Sequence, residues 1–404
     1  MPETIELNGR WYRKPQRPTV VICVDGCDPE YIEHGIPEGV FPTIGSFRRD
    51  GYLGTADAAM PTFTNPNNVS IVTGAPPSVH GIAGNYCLDR ATGREIMMTD
   101  PALMRSETIL ALMAGIGVKT AAITAKDKLR RLLGRNLAGI CFSSECADAE
   151  VEAMVGRERP DMYSADLSLF VLDAGIALLE RQAAQLLYLS LSDYVQHAHA
   201  PGEPAADAFH RAIDDRLRLF VELGAVVGIV ADHGMNDKAL PDGRPNVIFL
   251  EDALTEHFGA GAVRVICPIT DPFVRHHGAL GSFVRVYAGN GADLASLMAA
   301  SAALPGIALV LDGAEAAQRF ELPLDREADF VVLGDDNTVI GAARADHDLS
   351  GLAGHRLRSH GGLGEQRVPF ILSRPLTPEY ARRAETRQLR NFDIFDFALN
   401  GIAG

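Results

Sequence analysis

The chain has 404 residues and a formal net charge of −15, with 47% of its residues apolar and 22% charged. That length exceeds what one simple core holds, so two domains, or one large domain with an insertion, are expected. The acidic surface repels nucleic acid and anionic membranes, and no basic block or arginine-rich tail offsets it.

The N-terminal residues Met1-Pro2-Glu3-Thr4-Ile5-Glu6 lack the basic region and apolar stretch of a signal peptide. No apolar run reaches the roughly 18 residues a membrane span requires. The six cysteines (Cys23, Cys27, Cys87, Cys141, Cys146 and Cys267) form no CxxC pair and are too sparse for a disulfide scaffold. A reduced, cytoplasmic protein is the expectation.

In chain order, Thr19 to Val24 is an apolar run ending at Asp25, and Pro29 to Gly35 follows as a short helix with a glycine stop. Val118–Thr124 and Ala138–Phe142 read as strands. Asp166 to Ala184 and Ala206 to Leu223 carry apolar residues at helical spacing. Between and after those helices, Leu186–Ser192 ends at Asp193 and Ala225–Ala231 ends at Asp232-His233. Alternating strands and helices predict an α/β fold, a mostly parallel sheet with helices on both faces.

The pattern changes after Asp237. Short mixed segments (Asn246–Leu250, Ser282–Tyr287, a helix near Asp293–Ala303, Asp329–Leu333) are punctuated by Gly and Pro. Residues 240–350 are therefore expected to form an inserted, smaller α+β cap, with 1–239 and 351–404 making the catalytic core. The chain returns through Ser359-His360-Gly361-Gly362 and the strand Val368–Leu372, and ends in an amphipathic helix from about Arg390 to Leu399.

Three apolar runs that each end in a carboxylate place Asp25, Asp193 and Asp232 at one edge of the sheet, where open α/β folds put their sites. His197 follows Asp193 by four residues, His233 adjoins Asp232, and His360 sits in the return loop. Alone, Asp193 and His197 would read as a surface i,i+4 pair, and His360 as an ordinary loop residue. Together, three Asp and three His suffice for two divalent cations. Mixed carboxylate and imidazole ligation without thiolate suits zinc, with manganese and iron as alternatives.

This ordered set, with Thr64 before Asn67-Asn68, resembles the alkaline phosphatase superfamily over about 1–240 and 355–404. The resemblance implies an alkaline phosphatase-like core. It implies one metal held by Asp193, His197 and His360, and the other by Asp25, Thr64, Asp232 and His233. Thr64 would be the nucleophile, at the N-terminus of a helix whose first turn accommodates Pro66. Thr62 is its rival. Asn85, in Gly81-Ile82-Ala83-Gly84-Asn85, resembles the asparagine that phosphodiesterases and phosphonate hydrolases set against a non-bridging phosphoryl oxygen.

Within the superfamily, Thr64-Asn65-Pro66-Asn67-Asn68 departs from the C/S-x-P-x-R pattern of sulfatases. Bacterial alkaline phosphatases use Ser with a phosphate-binding Arg, and phosphoglycerate mutase-like enzymes also place Ser here. Threonine resembles the nucleotide pyrophosphatase/phosphodiesterase branch and the related phosphonoacetate hydrolases. Lys126 and Lys128 follow a predicted strand at the active edge and point to the latter, since two ammonium groups there would bind a substrate carboxylate. Lysine is electrostatically disfavoured at a helix N-terminus, which argues for a functional reason. The expected substrate is a small anionic phosphonate, phosphonoacetate, cleaved through a phosphothreonine to acetate and phosphate. The alternative is a nucleotide pyrophosphatase/phosphodiesterase with the same two-metal site. His276 and His277 are candidates for the cap side of the pocket. The assembly is open, with a homodimer one candidate.

Overall fold

In the computed structural model, which describes residues 3–270, 278–289, 291–350 and 356–403, the apolar runs lie side by side in one seven-stranded sheet. Its strands are β1 (Thr19–Cys23), β2 (Tyr52–Asp57), β3 (Thr120–Thr124), β4 (Ile140–Ser143), β5 (Leu186–Ser190), β6 (Val226–Val230) and β11 (Arg367–Leu372). The spatial order is β2-β11-β6-β1-β5-β3-β4. The five strands from β6 to β4 run parallel, and β11 is antiparallel to both its neighbours. Every residue of β1, β3, β5 and β6 is buried, as a sheet covered on both faces requires.

Neighbouring side chains of β5 show that covering directly. Tyr188 packs against Phe395 of the C-terminal helix, with ring centroids 6.0 Å apart. Leu189 points the other way, to the helix Asp166–Glu180, where a Cβ on Gly175 would come 2.8 Å from its Cδ1. Glycine is needed there because helix and strand approach so closely. The parallel register then fixes the active edge. Cys23 pairs with both Val230 and Ser190, so the chain leaves three adjacent strands at one level. Asp25 and Asp232 follow two residues later, and Asp193 three.

A second, antiparallel sheet is formed by β7 (Val263–Ile266), β8 (Phe283–Ala288), β9 (Ile307–Asp312) and β10 (Phe330–Gly334), in the order β7-β8-β10-β9. Helices Leu250–Phe258, Leu294–Ala302 and Gly313–Phe320 join it around a separate apolar core that includes Leu254, Phe283, Phe320 and Val332. Met60 and Phe63 also belong to that core, so the segment before Thr64 is anchored in it.

The C-terminal segment differs from expectation. A 3₁₀ turn at Asn391–Asp393 precedes a helix at Ile394–Asn400, and Ile394 to Leu399 are all buried. It is enclosed on all sides instead of amphipathic. Its one acid, Asp396, is satisfied internally by the Tyr380 hydroxyl and Arg383, each at 2.7 Å. Among the described residues no helix is long and apolar enough to cross a membrane, and all six cysteines are free.

Candidate metal centre and active site

At the end of β1 the chain must turn at once, and Gly26 does so at φ +70°. A Cβ there would lie 3.1 Å from Met235 Cε and 3.4 Å from Asp193 Cβ, so glycine lets Asp25 and Asp193 approach. Asp193 immediately precedes the short helix Tyr194–Ala198. One turn on, His197 Nε2 lies 3.1 Å from Asp193 Oδ2. Asp193, His197 and His360 bring ligand atoms within 4.8 Å of one another, as do Asp25, Asp193 and His233. All five residues are buried.

Asp232 stands beside the second group. Its Oδ2 is 3.7 Å from His233 Nε2 and accepts from Asn68 Nδ2 at 3.1 Å. Its Oδ1 accepts the backbone N–H groups of Gly26 and His233.

The three imidazoles are oriented alike. Nδ1 of His197 lies 2.8 Å from the Arg358 carbonyl, that of His233 2.9 Å from Gly234, and that of His360 2.7 Å from Thr62. Carbonyl oxygens only accept, so each Nδ1 carries the proton and each Nε2 presents a lone pair. This is how proteins set histidine for a metal. The His233 and His360 rings stack at 3.6 Å, 8° from parallel.

The donor set fits divalent cations. Both oxygens of Asp25 and Nε2 of His233 are buried without a hydrogen-bond partner among the described residues, a cost that a bound cation would remove. Burial, and then the Asp193 and Asp232 charges, push the Asp25 carboxyl far above the usual carboxylate range. Burial and Asp193 raise Asp232 to about 7. Burial, then His233 and His197, hold His360 far below the ordinary imidazole range. Three buried acids facing each other need positive charge among them.

Thr64 is the first residue of the helix Thr64–Thr73, with Phe63 before it and Pro66 third. Among the described residues no hydrogen bond holds its hydroxyl. Thr62, its rival, is spoken for. Its hydroxyl donates to the Gly362 carbonyl at 2.9 Å and accepts the Gly361 N–H at 3.0 Å. Asn85 Oδ1 accepts the Asn65 N–H at 3.0 Å, which turns the other end of its amide away from the helix backbone.

Asn68, named in the sequence only as part of the motif, has a role that the motif does not disclose. Its Oδ1 accepts from Tyr188 and Ser190, both at 2.8 Å, while its amide donates to the Thr64 carbonyl and Asp232. It thereby ties the Thr64 helix to β5 and to the end of β6. The i,i+4 spacing from Thr64 was the available signal.

Lys126 and Lys128 do reach this edge, at the start of the helix Asp127–Leu133. Lys126 Nζ donates to Asp193 Oδ1 at 2.7 Å. Burial alone would lower its pKa, but Asp193 and Asp25 outweigh burial and hold it above the normal lysine value. Lys128 is lowered to about 7 by burial and by Lys126. His276 and His277 lie outside the described residues.

Residues 19–362 match the type I phosphodiesterase / nucleotide pyrophosphatase family. The chain belongs to that family. Within it, the fold is shared over full length with phosphonoacetate hydrolase from Sinorhizobium meliloti 1021. Structures of that protein with phosphonoformate and with phosphonoacetate are 44% identical to this chain, with a TM-score of 0.93 and 100% of both chains covered. Murine ectonucleotide pyrophosphatase/phosphodiesterase 5 in complex with AMP shares the fold at 16% identity and a TM-score of 0.66, over 96% of each chain. Among sequences, a pyrophosphatase/phosphodiesterase of Schizosaccharomyces pombe is 23% identical over 237 residues, 59% of this chain. Phosphonoacetate hydrolase of Penicillium oxalicum is 69% identical over 32 residues, 8% of this chain. Each of these two matches spans 44% of the curated relative.

Proposed function

We propose that the protein hydrolyses the carbon–phosphorus bond of phosphonoacetate to acetate and phosphate, with Thr64 as nucleophile and two divalent metal ions, zinc first among them. The observation that carries this reading is Lys126, a half-buried cation set against Asp193 beside the acids, with Lys128 two residues on. The full-length likeness to a protein crystallised with phosphonoacetate supports it.

Asp193, His197 and His360 would hold one ion. Asp25, Asp232, His233 and Thr64 would hold the other, with Asp193 within reach of both. When bound, such a pair lowers the pKa of a nearby hydroxyl and offsets charge on the phosphoryl oxygens. Thr64 Oγ attacks phosphorus, aided by the helix N-terminus, which favours the phosphoryl anion. The P–O bond forms as the P–C bond breaks. The electron pair goes to carbon, is delocalised into the adjacent carboxylate, and is quenched to acetate by a proton equivalent to the one the Thr64 hydroxyl gives up, exchanged through solvent. Lys126 and Lys128 bind that carboxylate and stabilise its enediolate form. Asn85 donates to a non-bridging oxygen. Water then attacks phosphorus, the P–Oγ bond breaks, and Thr64 regains its proton as phosphate leaves.

On this reading residues 240–350 are a cap inserted in a catalytic core of 1–239 and 351–404, which the separate apolar core of the second sheet supports. A cytoplasmic location agrees with six free thiols. The test is phosphate release from phosphonoacetate by zinc-loaded protein, beside release of nitrophenol from the p-nitrophenyl ester of thymidine 5′-monophosphate. Release from phosphonoacetate that a chelator abolishes is expected. Turnover of the ester alone would replace this reading with a nucleotide phosphodiesterase.

A further inference from the structure

His233 and His360 come from segments more than 120 residues apart, yet their rings stack in parallel at 3.6 Å. A stack of two neutral imidazoles does not position itself, so something behind them must hold both. Part of the answer is a two-residue antiparallel ladder, Asn236↔Ser359 and Asp237↔Arg358, just after one histidine and just before the other. It fixes one side of each turn. The other side is closed by Glu365.

Glu365 is fully buried and bonds to both turns. Its backbone carbonyl accepts the Gly234 N–H at 2.7 Å, directly after His233. Its Oε2 accepts the Gly362 N–H at 2.9 Å, two residues after His360. Its Oε1 accepts from Asn236 Nδ2 and from Lys238 Nζ, both at 2.7 Å. Lys238 is also fully buried and uses a second proton on the Asp336 carbonyl at 2.8 Å. Its backbone N–H meets the Leu357 carbonyl at 2.7 Å, extending the ladder. The packing leaves little slack: a Cβ on Gly362 would lie 3.0 Å from Ser282 Cβ, and one on Gly234 2.7 Å from Asp28 Oδ2.

A fully desolvated ion pair is a poor source of stability, because apolar residues of the same volume commonly serve as well or better. What this pair supplies that an apolar pair cannot is a set of directed hydrogen bonds to the two histidine turns. We propose that the Lys238–Glu365 pair is a positioning device that sets the spacing of His233 and His360 and thereby the affinity of both metal sites. The proposal rests on the two-metal reading. Neither residue would touch an ion or substrate.

The test is zinc titration of metal-free protein against a chromophoric chelator, with cobalt(II) absorption as a second readout. The double variant Lys238→Met/Glu365→Gln removes both charges together, so no buried ion is orphaned. It is expected to bind zinc about 10- to 100-fold more weakly at both sites, the usual effect of losing groups that orient metal ligands. Its cobalt d–d bands should shift. A variant that binds zinc with the parent's affinity and reproduces the parent's cobalt spectrum would overturn the proposal, whatever its melting temperature. Should the double variant not fold, Asn236→Ala removes one strut and leaves the pair intact. A several-fold weakening is expected there, and unchanged affinity would again overturn the proposal. A parent protein that takes up no divalent cation would instead remove the two-metal reading itself, and this inference with it.

Discussion

Lys126 Nζ meets Asp193 Oδ1 at 2.7 Å, so a half-buried lysine faces a carboxylate shared by both ligand triples. One cation thus touches the metal centre on one side and leaves Lys128, two residues along the same helix turn, to extend the positive surface. On the proposed reading, this juxtaposition would make the lysines specificity determinants for an anionic substrate group, in addition to balancing charge.

Substituting Lys126 or Lys128 by Met should lower kcat/KM for phosphonoacetate on the order of 100-fold. Loss of a charge-assisted contact costs about 3 kcal/mol at most, and about 1.4 kcal/mol corresponds to tenfold. An aryl phosphodiester, which has no carboxylate to bind, should lose far less. Steady-state kinetics on both substrates decide it. Equal losses on the two would reassign the lysines to supporting the metal ligands.

Thr64 and Thr62 separate cleanly by substitution. Thr64→Ala should abolish turnover while zinc content, measured by atomic emission, stays near two equivalents, since carboxylates and imidazoles supply the other ligands. Thr62→Ala removes two hydrogen bonds to the His360 loop. It should cost about 1–3 kcal/mol of stability and weaken zinc binding, yet leave measurable turnover at saturating zinc. An active Thr64→Ala protein would sink the covalent step.

The difference between what the sequence disclosed and what it hid follows from how each residue gets its position. Asp25, Asp193 and Asp232 were legible because a buried parallel strand is a continuous apolar run, and the carboxylate at its end interrupts that run. The clustering of Asp25, Asp193, His197, His233 and His360 was legible because these residues stand in a recognisable order. Asn68, Glu365 and Lys238 were not, for they act through partners 120 or more residues away: Tyr188 and Ser190 for Asn68, Lys238 for Glu365. No local pattern encodes such a pairing; the i,i+4 spacing of Thr64 and Asn68 points only to the bond between them. The edge strand Ile307–Asp312 escaped for a different reason: it is only partly covered, so its residues do not alternate cleanly. The C-terminal helix was misread as one-sided because its single Asp396 looks like a solvent face until Tyr380 and Arg383 are found beside it.

Asp25 tests the metal reading from the opposite direction. Among the described residues its carboxyl has no hydrogen-bond partner, and it faces Asp193 and Asp232. Asp25→Asn removes that repulsion, so the variant should melt higher than the parent in chelator. It should also lose most of the parent's stabilisation by zinc, which grows as RT ln(1 + [Zn]/Kd). Differential scanning fluorimetry with and without zinc reads both effects. A variant that is destabilised in chelator and still stabilised by zinc would show that Asp25 holds no ion.

His80 sets a pH limit that has nothing to do with the metals. It is fully buried behind the Thr64 helix, 2.8 Å from the Ser70 hydroxyl, with its Nδ1 accepting the Ile82 N–H at 3.2 Å. Burial, with a smaller contribution from Arg326, holds its pKa down at about 3 against 6.5 for the free side chain. Between those values the unfolded chain takes up a proton that the folded chain refuses, so stability rises with pH across the window. The contribution is complete above 6.5 and is lost as pH falls toward 3. Buried His210, lowered to about 4 by the same cause, acts in the same direction. Going from pH 7 to pH 5, His80 alone should remove about 2 kcal/mol of stability. Urea unfolding of metal-free protein at the two pH values measures it. In His80→Gln, where no proton can be taken up, the difference between the two pH values should shrink by that amount. An unchanged difference would mean that His80 titrates normally in the folded protein, and that the helix carrying Thr64 is not sealed from water on that side.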